Sequence, residues 1–175
     1  MNQMFSILGA LVLLGFVTLS INSMLADKTE TMLDAEASLN AISIAQTMLD
    51  EIFTKSFDAA TANGTRIYDS TLFTPLGGLG ASGAELSHVA SPDLVDASEM
   101  YFNDVDDYNG YTRITFTPVL GKFLVRDTVY YVQKTNPDYP APGQTSFKKI
   151  VVSVSHANMR YPMVISDIAV YRKYF

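Results

Sequence analysis

The chain contains no cysteine. That excludes a disulfide framework, a thiolate metal site, a cysteine nucleophile and thiol redox chemistry, while leaving the compartment open. Histidine is nearly as scarce. His88 and His156 are the only two, too few for a histidine-built metal or catalytic centre, and each is expected to be solvated or bonded to backbone. Positive charge is also short: 12 Lys and Arg stand against 18 Asp and Glu, a formal net charge of -6. Binding to nucleic acid needs clustered basic residues, so no nucleic-acid partner is expected. No charge of either sign occurs before Asp27, and neither Pro nor Gly interrupts Phe16 to Asp58. The length of 175 residues suits one domain with an appended segment.

What fills the charge-free stretch is a run of apolar residues from Met4 to Leu19, extended by Ile21, Met24 and Leu25. A bilayer core takes about 20 helical residues to cross, so residues 1–26 read as a transmembrane helix. A cleaved signal peptide would carry basic residues before a shorter core and a small-residue cleavage site after it; neither is present. The helical pattern then continues. Met32, Ala35, Leu39, Ile42, Gln46, Leu49 and Phe53 recur at spacings of three and four, the mark of one apolar helix face, with Asp27, Lys28, Glu30, Asp34, Glu36, Asp50 and Glu51 around them. One helix from near Met1 to between Phe53 and Phe57 is expected, roughly 80 Å long, with residues 27–57 as its amphipathic part.

Residues 58–110 are rich in Ala, Gly, Ser, Thr and Pro and read as a surface loop region with at most short elements. Beyond them β signals dominate. Tyr111–Thr117, Phe123–Gln133, Lys148–His156 and Met163–Tyr171 are four runs of alternating or β-rich sequence. The turn signals between them are Leu120-Gly121-Lys122, the proline-rich stretch from Asn136 to Gly143, and Asn158 to Pro162. The expected fold is α+β: a four-stranded antiparallel meander over residues 111–175, packed on the second half of the helix through Met32, Leu39, Ile42, Leu49 and Phe53.

Several motifs carry side chains capable of chemistry. Gly78-Leu79-Gly80-Ala81-Ser82-Gly83 has dinucleotide-loop spacing, but that site needs a strand before it and a helix after it; Pro75 and Ser91-Pro92 point to a flexible loop. Asp104, Asp106, Asp107 and Asn109 place hard oxygen donors on one turn, the ligand type Ca²⁺ prefers. The EF-hand spacing fails, since the twelfth position from Asp104 is Thr115, so a polar turn with side-chain-to-backbone bonds competes. Calcium is the one candidate cofactor. Asn63-Gly64-Thr65 is a glycosylation sequon, with Asn63 the acceptor. The ten Tyr and ten Phe are expected in the sheet core and at subunit contacts. No Ser-His-Asp or paired-carboxylate motif has a supporting context, which argues against an enzyme.

The order of uncharged helix, amphipathic continuation, loop and antiparallel sheet resembles type IV pilins and pseudopilins over the whole chain. Leu39-Asn40-Ala41-Ile42-Ser43-Ile44-Ala45-Gln46-Thr47-Met48-Leu49-Asp50-Glu51-Ile52 is similar to their helix segment, with an Ala-Gln pair before an apolar-acidic run. Asp106-Asp107-Tyr108-Asn109-Gly110-Tyr111 is similar to a segment of bacterial pilin-like proteins. The resemblance implies a chain whose basic leader has been removed, held in the cytoplasmic membrane, handled by pilus assembly machinery and built into an extracellular filament whose core is a bundle of these helices. Asn2, Phe5, Ile7, Leu8, Leu11, Leu14, Phe16 and Leu19 would line that core. Phe5 stands where the family usually has a Glu that neutralises a neighbour's terminal amine, and the usual mid-helix Pro is absent. The Met1 amine is therefore expected to find oxygens of Asn2, Gln3 or Ser6, or carbonyls freed where Gly9, Gly15 and the polar run Thr18–Ser23 loosen the helix. Archaeal pilins and archaellins, low-copy secretion pseudopilins and a monomeric anchored domain are neighbouring readings.

A membrane helix can leave the bilayer only for another apolar environment, and a bundle of identical helices supplies one. Burying an apolar side chain is worth roughly 1.5–3 kcal/mol. Small residues such as Gly9, Ala10, Gly15 and Ser20 let helices approach closely, and a repeated contact with a non-closing rotation propagates as a helical filament.

Overall fold

A computed structural model of the chain describes residues 2–83, 85 and 101–172. Its first element, α1 (Asn2–Phe53), is a single uninterrupted helix of 52 residues. The sequence offers nothing to break it: Gly9 and Gly15 lie within the apolar half and no Pro occurs. The loosening expected around Gly15–Asn22 does not occur. Hydroxyls there bond back onto their own helix, Thr18 Oγ1 donating to the Leu14 carbonyl (2.7 Å) and Ser23 Oγ to that of Ser20 (2.9 Å), so the polar run stays helical. Met1 and His88 lie outside the described residues.

Four strands follow in sequence order: β1 (Thr112–Thr117), β2 (Gly121–Tyr131), β3 (Phe147–Ser155) and β4 (Met163–Val170). They form an antiparallel sheet in the order β1-β2-β3-β4, the expected meander. β2 starts at Gly121, which has φ +81°, a conformation that suits glycine. Among the described residues between α1 and β1 there are four short 3-10 turns, at 59–61, 70–72, 76–78 and 106–108. This segment is tied to the sheet by aromatic rings. Phe57, Phe73 and Tyr171 meet at centroid distances of 5.1–5.5 Å, and Phe102, Tyr108 and Tyr111 form a second group.

The helix packs across β3 and β4, as the fold class requires, but through a different face from the expected one. Ala37, Ala41, Ala45, Met48, Leu49 and Ile52 are buried. Of the expected contact residues only Leu49 is buried; Ile42 is half-buried, and Met32 (72% exposed), Leu39 (70%) and Phe53 (41%) face outward. At 3.6 residues per turn, Ala37, Ala41, Ala45 and Met48 lie on the side opposite Leu39. The reason is steric. The sheet presents Phe123, Val125, Val129, Ile150, Val152 and Val154 inward, and alanines let the helix axis come close enough for those side chains to fill the interval at core density.

Two strands also turn over relative to simple hydrophobic alternation. Arg113 faces the core from β1 while Phe116 is exposed. On β4 the inward register holds Met163, Ile165 and Ala169, with Val164 and Val170 outside. The register enforces this, because directly opposed antiparallel residues share a face: Arg113 lies opposite Val125, and Ala169 opposite Lys148.

Candidate functional site

Three arrangements merit description: the bare half of α1 and two buried charge clusters.

Every described side chain from Gln3 to Leu33 is exposed. Phe5, Ile7, Leu8, Leu11, Leu14, Phe16 and Leu19 are each 60–69% exposed, so all seven expected core residues with described side chains project from the domain, and the backbone of Asn2 is helical with them. This segment is long and apolar enough to cross a membrane. A Cβ added at Gly9 or Gly15 would meet nothing within 4 Å. No contact within the chain calls for either glycine.

The first charge cluster surrounds Lys148, whose side chain is fully buried. Its ammonium donates to the Phe57 carbonyl (2.7 Å), to Asp58 Oδ2 (2.9 Å) and to Asp106 Oδ1. The rings of Phe57 and Tyr131 close over it at 4.5 and 5.2 Å from their centroids. The expected oxygen donors divide here. Asp106 binds the ammonium, while Asp104 Oδ1 accepts the Asp106 N–H (2.8 Å). Asp107 Oδ2 accepts the N–H groups of Asn103 and Asp104. Asn109 is turned elsewhere, donating to the Leu79 carbonyl and accepting from the Val129 N–H. The structure therefore gathers three aspartates on one turn but sets a lysine in the cation's role, and no described group of three acids or histidines has metal-holding geometry. Burial is the largest influence on Asp104, followed by its hydrogen bond to Asp106 and the charges of Asp106 and Asp107; together they push its carboxyl to about 9. Burial likewise lifts Asp107 to about 6, against the pull of its backbone donors. For Asp58, burial pulls upward, but the Lys148 charge and the N–H groups of Thr74 and Ala60 prevail and hold it below the usual carboxylate range.

The second cluster joins helix to sheet. Arg113 Nη1 donates to Glu51 Oε2 (2.7 Å), and Tyr108 Oη donates to Glu51 Oε1 (2.9 Å). Asp127 on β2 is 2% exposed, and neither of its carboxylate oxygens has a hydrogen-bond partner among the described residues. Burial pushes it to about 8 despite the nearby Arg113 charge, with the Glu51 charge adding to the rise.

Sequence reasoning missed Lys148, Asp58, Glu51, Arg113 and Asp127. A signal existed in the strand parity: Lys148 shares a face with Ile150, Val152 and Val154, and Asp127 shares one with Phe123, Val125 and Val129. The remaining motifs take structural places. Asn63 is exposed beside Gly64 at φ +74°. Gly78 ends a 3-10 turn with no strand before it, so the glycine run lacks the dinucleotide context. His156 stacks on Phe123 at 4.4 Å; its Nδ1 accepts the Asn158 N–H (3.1 Å) and its Nε2 lies 2.8 Å from the Leu120 carbonyl. It pins the β3–β4 turn to the start of β2.

No family model matches the chain, and neither does any curated protein or solved structure.

Proposed function

We propose that the chain is a structural subunit of an extracellular, type IV pilus-like helical filament. It resides in the cytoplasmic membrane before assembly, is handled by pilus assembly machinery, and assembles through bundled N-terminal helices. The observation that carries this reading is the apolar half of α1, whose side chains and glycines have no use within the folded chain. Fourteen large apolar side chains from Met4 to Leu25 stand exposed, and covering them is worth of order 20 kcal/mol. A bilayer can cover them, and so can copies of the same helix. The glycines favour the copies, because a lipid gains nothing from a missing Cβ whereas a neighbouring helix gains close approach.

The test is substitution of Gly9→Leu and Gly15→Leu in cells producing the protein, with sheared surface filaments imaged by electron microscopy. Leucine is a better helix former than glycine by about 0.5–1 kcal/mol, so membrane insertion and the domain should be unaffected. The expected outcome is filaments from the unaltered chain and few or none from the variants. Only detergent-extracted monomers from the unaltered chain would replace this reading with that of an anchored domain. Short or absent filaments with a secretion defect on deletion would favour a low-copy pseudopilin.

A further inference from the structure

We propose that Lys148 and Asp106 condense to an intramolecular amide, a covalent bond that locks the turn before β1 to the start of β3.

The reacting groups are already in contact. The Lys148 ammonium donates to Asp106 Oδ1 in a pocket where both side chains are at least 96% buried. Holding two reactants in direct contact replaces an encounter between separate molecules, an advantage equivalent to very high local concentration. The surroundings supply the proton traffic. The ammonium passes a proton to the Asp106 oxygen it touches, which frees the lone pair that attacks Asp106 Cγ, while Asp58 Oδ2, 2.9 Å from the same nitrogen, holds the amine in place. Asp104, whose Oδ1 accepts the Asp106 N–H (2.8 Å) and whose carboxyl burial and its acidic neighbours push up to about 9, is next to the reacting carboxyl and protonates the departing oxygen. The balance closes without any further reagent. The C–N bond forms and one C–O bond of Asp106 breaks. Of the three ammonium protons one stays on the amide nitrogen, and the equivalent of two leaves with the oxygen as water, Asp104 returning to its starting state.

The amide removes the Lys148 and Asp106 charges together, leaving Asp58 as the charged group of the pocket, and keeps an N–H for Asp58 or the Phe57 carbonyl to accept. Phe57 and Tyr131 shield the bond from hydrolysis. The groups come from segments far apart in sequence, Asp58, Asp104 with Asp106, and Lys148, so the reaction follows folding. It spans 42 residues in a chain with no cysteine to cross-link it by other means.

The full chain, purified in detergent, is measured by intact-mass spectrometry and peptide mapping. The expected mass is below the sequence value by one water, about 18 Da. Protease digestion should give a branched peptide joining the Asp106 and Lys148 segments, with no tryptic cleavage after Lys148. Lys148→Arg and Asp106→Ala should each restore the full mass, and Asp104→Ala should leave most of the protein unlinked. A wild-type mass equal to the sequence value overturns the proposal without reference to any variant. Water loss that maps to a single unbranched peptide overturns it as well.

Discussion

Replacing Asp127 by asparagine should stabilise the protein, and increasingly so as the pH rises. In the folded chain burial raises this carboxyl from 3.8 to about 8, whereas in the unfolded chain it titrates near its ordinary value. Between those limits the folded state holds one proton more than the unfolded state, so stability is greatest at the acid end and falls as pH climbs towards 8. At pH 7, about three pH units above the unfolded value, the accumulated cost is roughly 4 kcal/mol at 1.36 kcal/mol per unit. Asparagine keeps the shape and removes the titration. For a chain of this size that corresponds to a rise in melting temperature of about 10 °C. Asp104 contributes a decline of the same sign, and Asp58, held low, contributes stability that is lost only in acid; the difference between wild type and variant cancels both. Thermal melts of the detergent-solubilised chain, followed by near-ultraviolet circular dichroism at pH 5, 6, 7 and 8, measure that difference. A gap that does not widen between pH 5 and 8 would refute the reasoning, since Asp127 would then be ionised throughout and paired with Arg113.

Other perturbations separate the structure from simpler readings. Leu39→Ala should change stability by no more than about 0.5 kcal/mol because the residue is exposed, whereas Met48→Ala, removing a fully buried side chain, should cost about 2–5 kcal/mol; equal effects in the same melts would mean the helix is seated on the wrong face. Calcium should leave the melting curve unchanged, with or without chelator, because the Lys148 nitrogen fills the position between Asp58 and Asp106; a calcium-dependent rise would restore the metal reading of the turn.

The helix and all four strands were legible because their signals are local: a long run without Pro and, from Phe16 on, without Gly, period-two alternation, and turn residues at each corner. Which face packs where was not. The helix carries two stripes, one of leucines and a phenylalanine and one mainly of alanines, and periodicity weighted by side-chain size selects the first. The sheet selects the second, because its own large residues leave room for little more than a methyl group at Ala37, Ala41 and Ala45. The same blindness hid Arg113 on β1. An inward arginine reads as solvent-facing until Glu51, 62 residues away, is known to meet it. For the acidic turn, the oxygen donors were visible, but the charge they serve arrives from Lys148 on β3.

With no break between Asn2 and Phe53, α1 acts as a ruler and a protractor at once. The seat of the alanines on the sheet fixes the compass bearing of every side chain in the apolar half, since each residue advances the helix by about 1.5 Å and turns it by about 100°. One residue inserted between Asp27 and Leu33 would leave both halves intact but swing the domain by nearly a third of a turn relative to the Leu11 and Leu14 faces. Seven would return it to within about 20° of its bearing, lifted by about 10 Å. The azimuth of the sheet around whatever receives the apolar half is thus written in the residue count of the connecting helix. A neighbour that reads the surface of the domain reads that count as well.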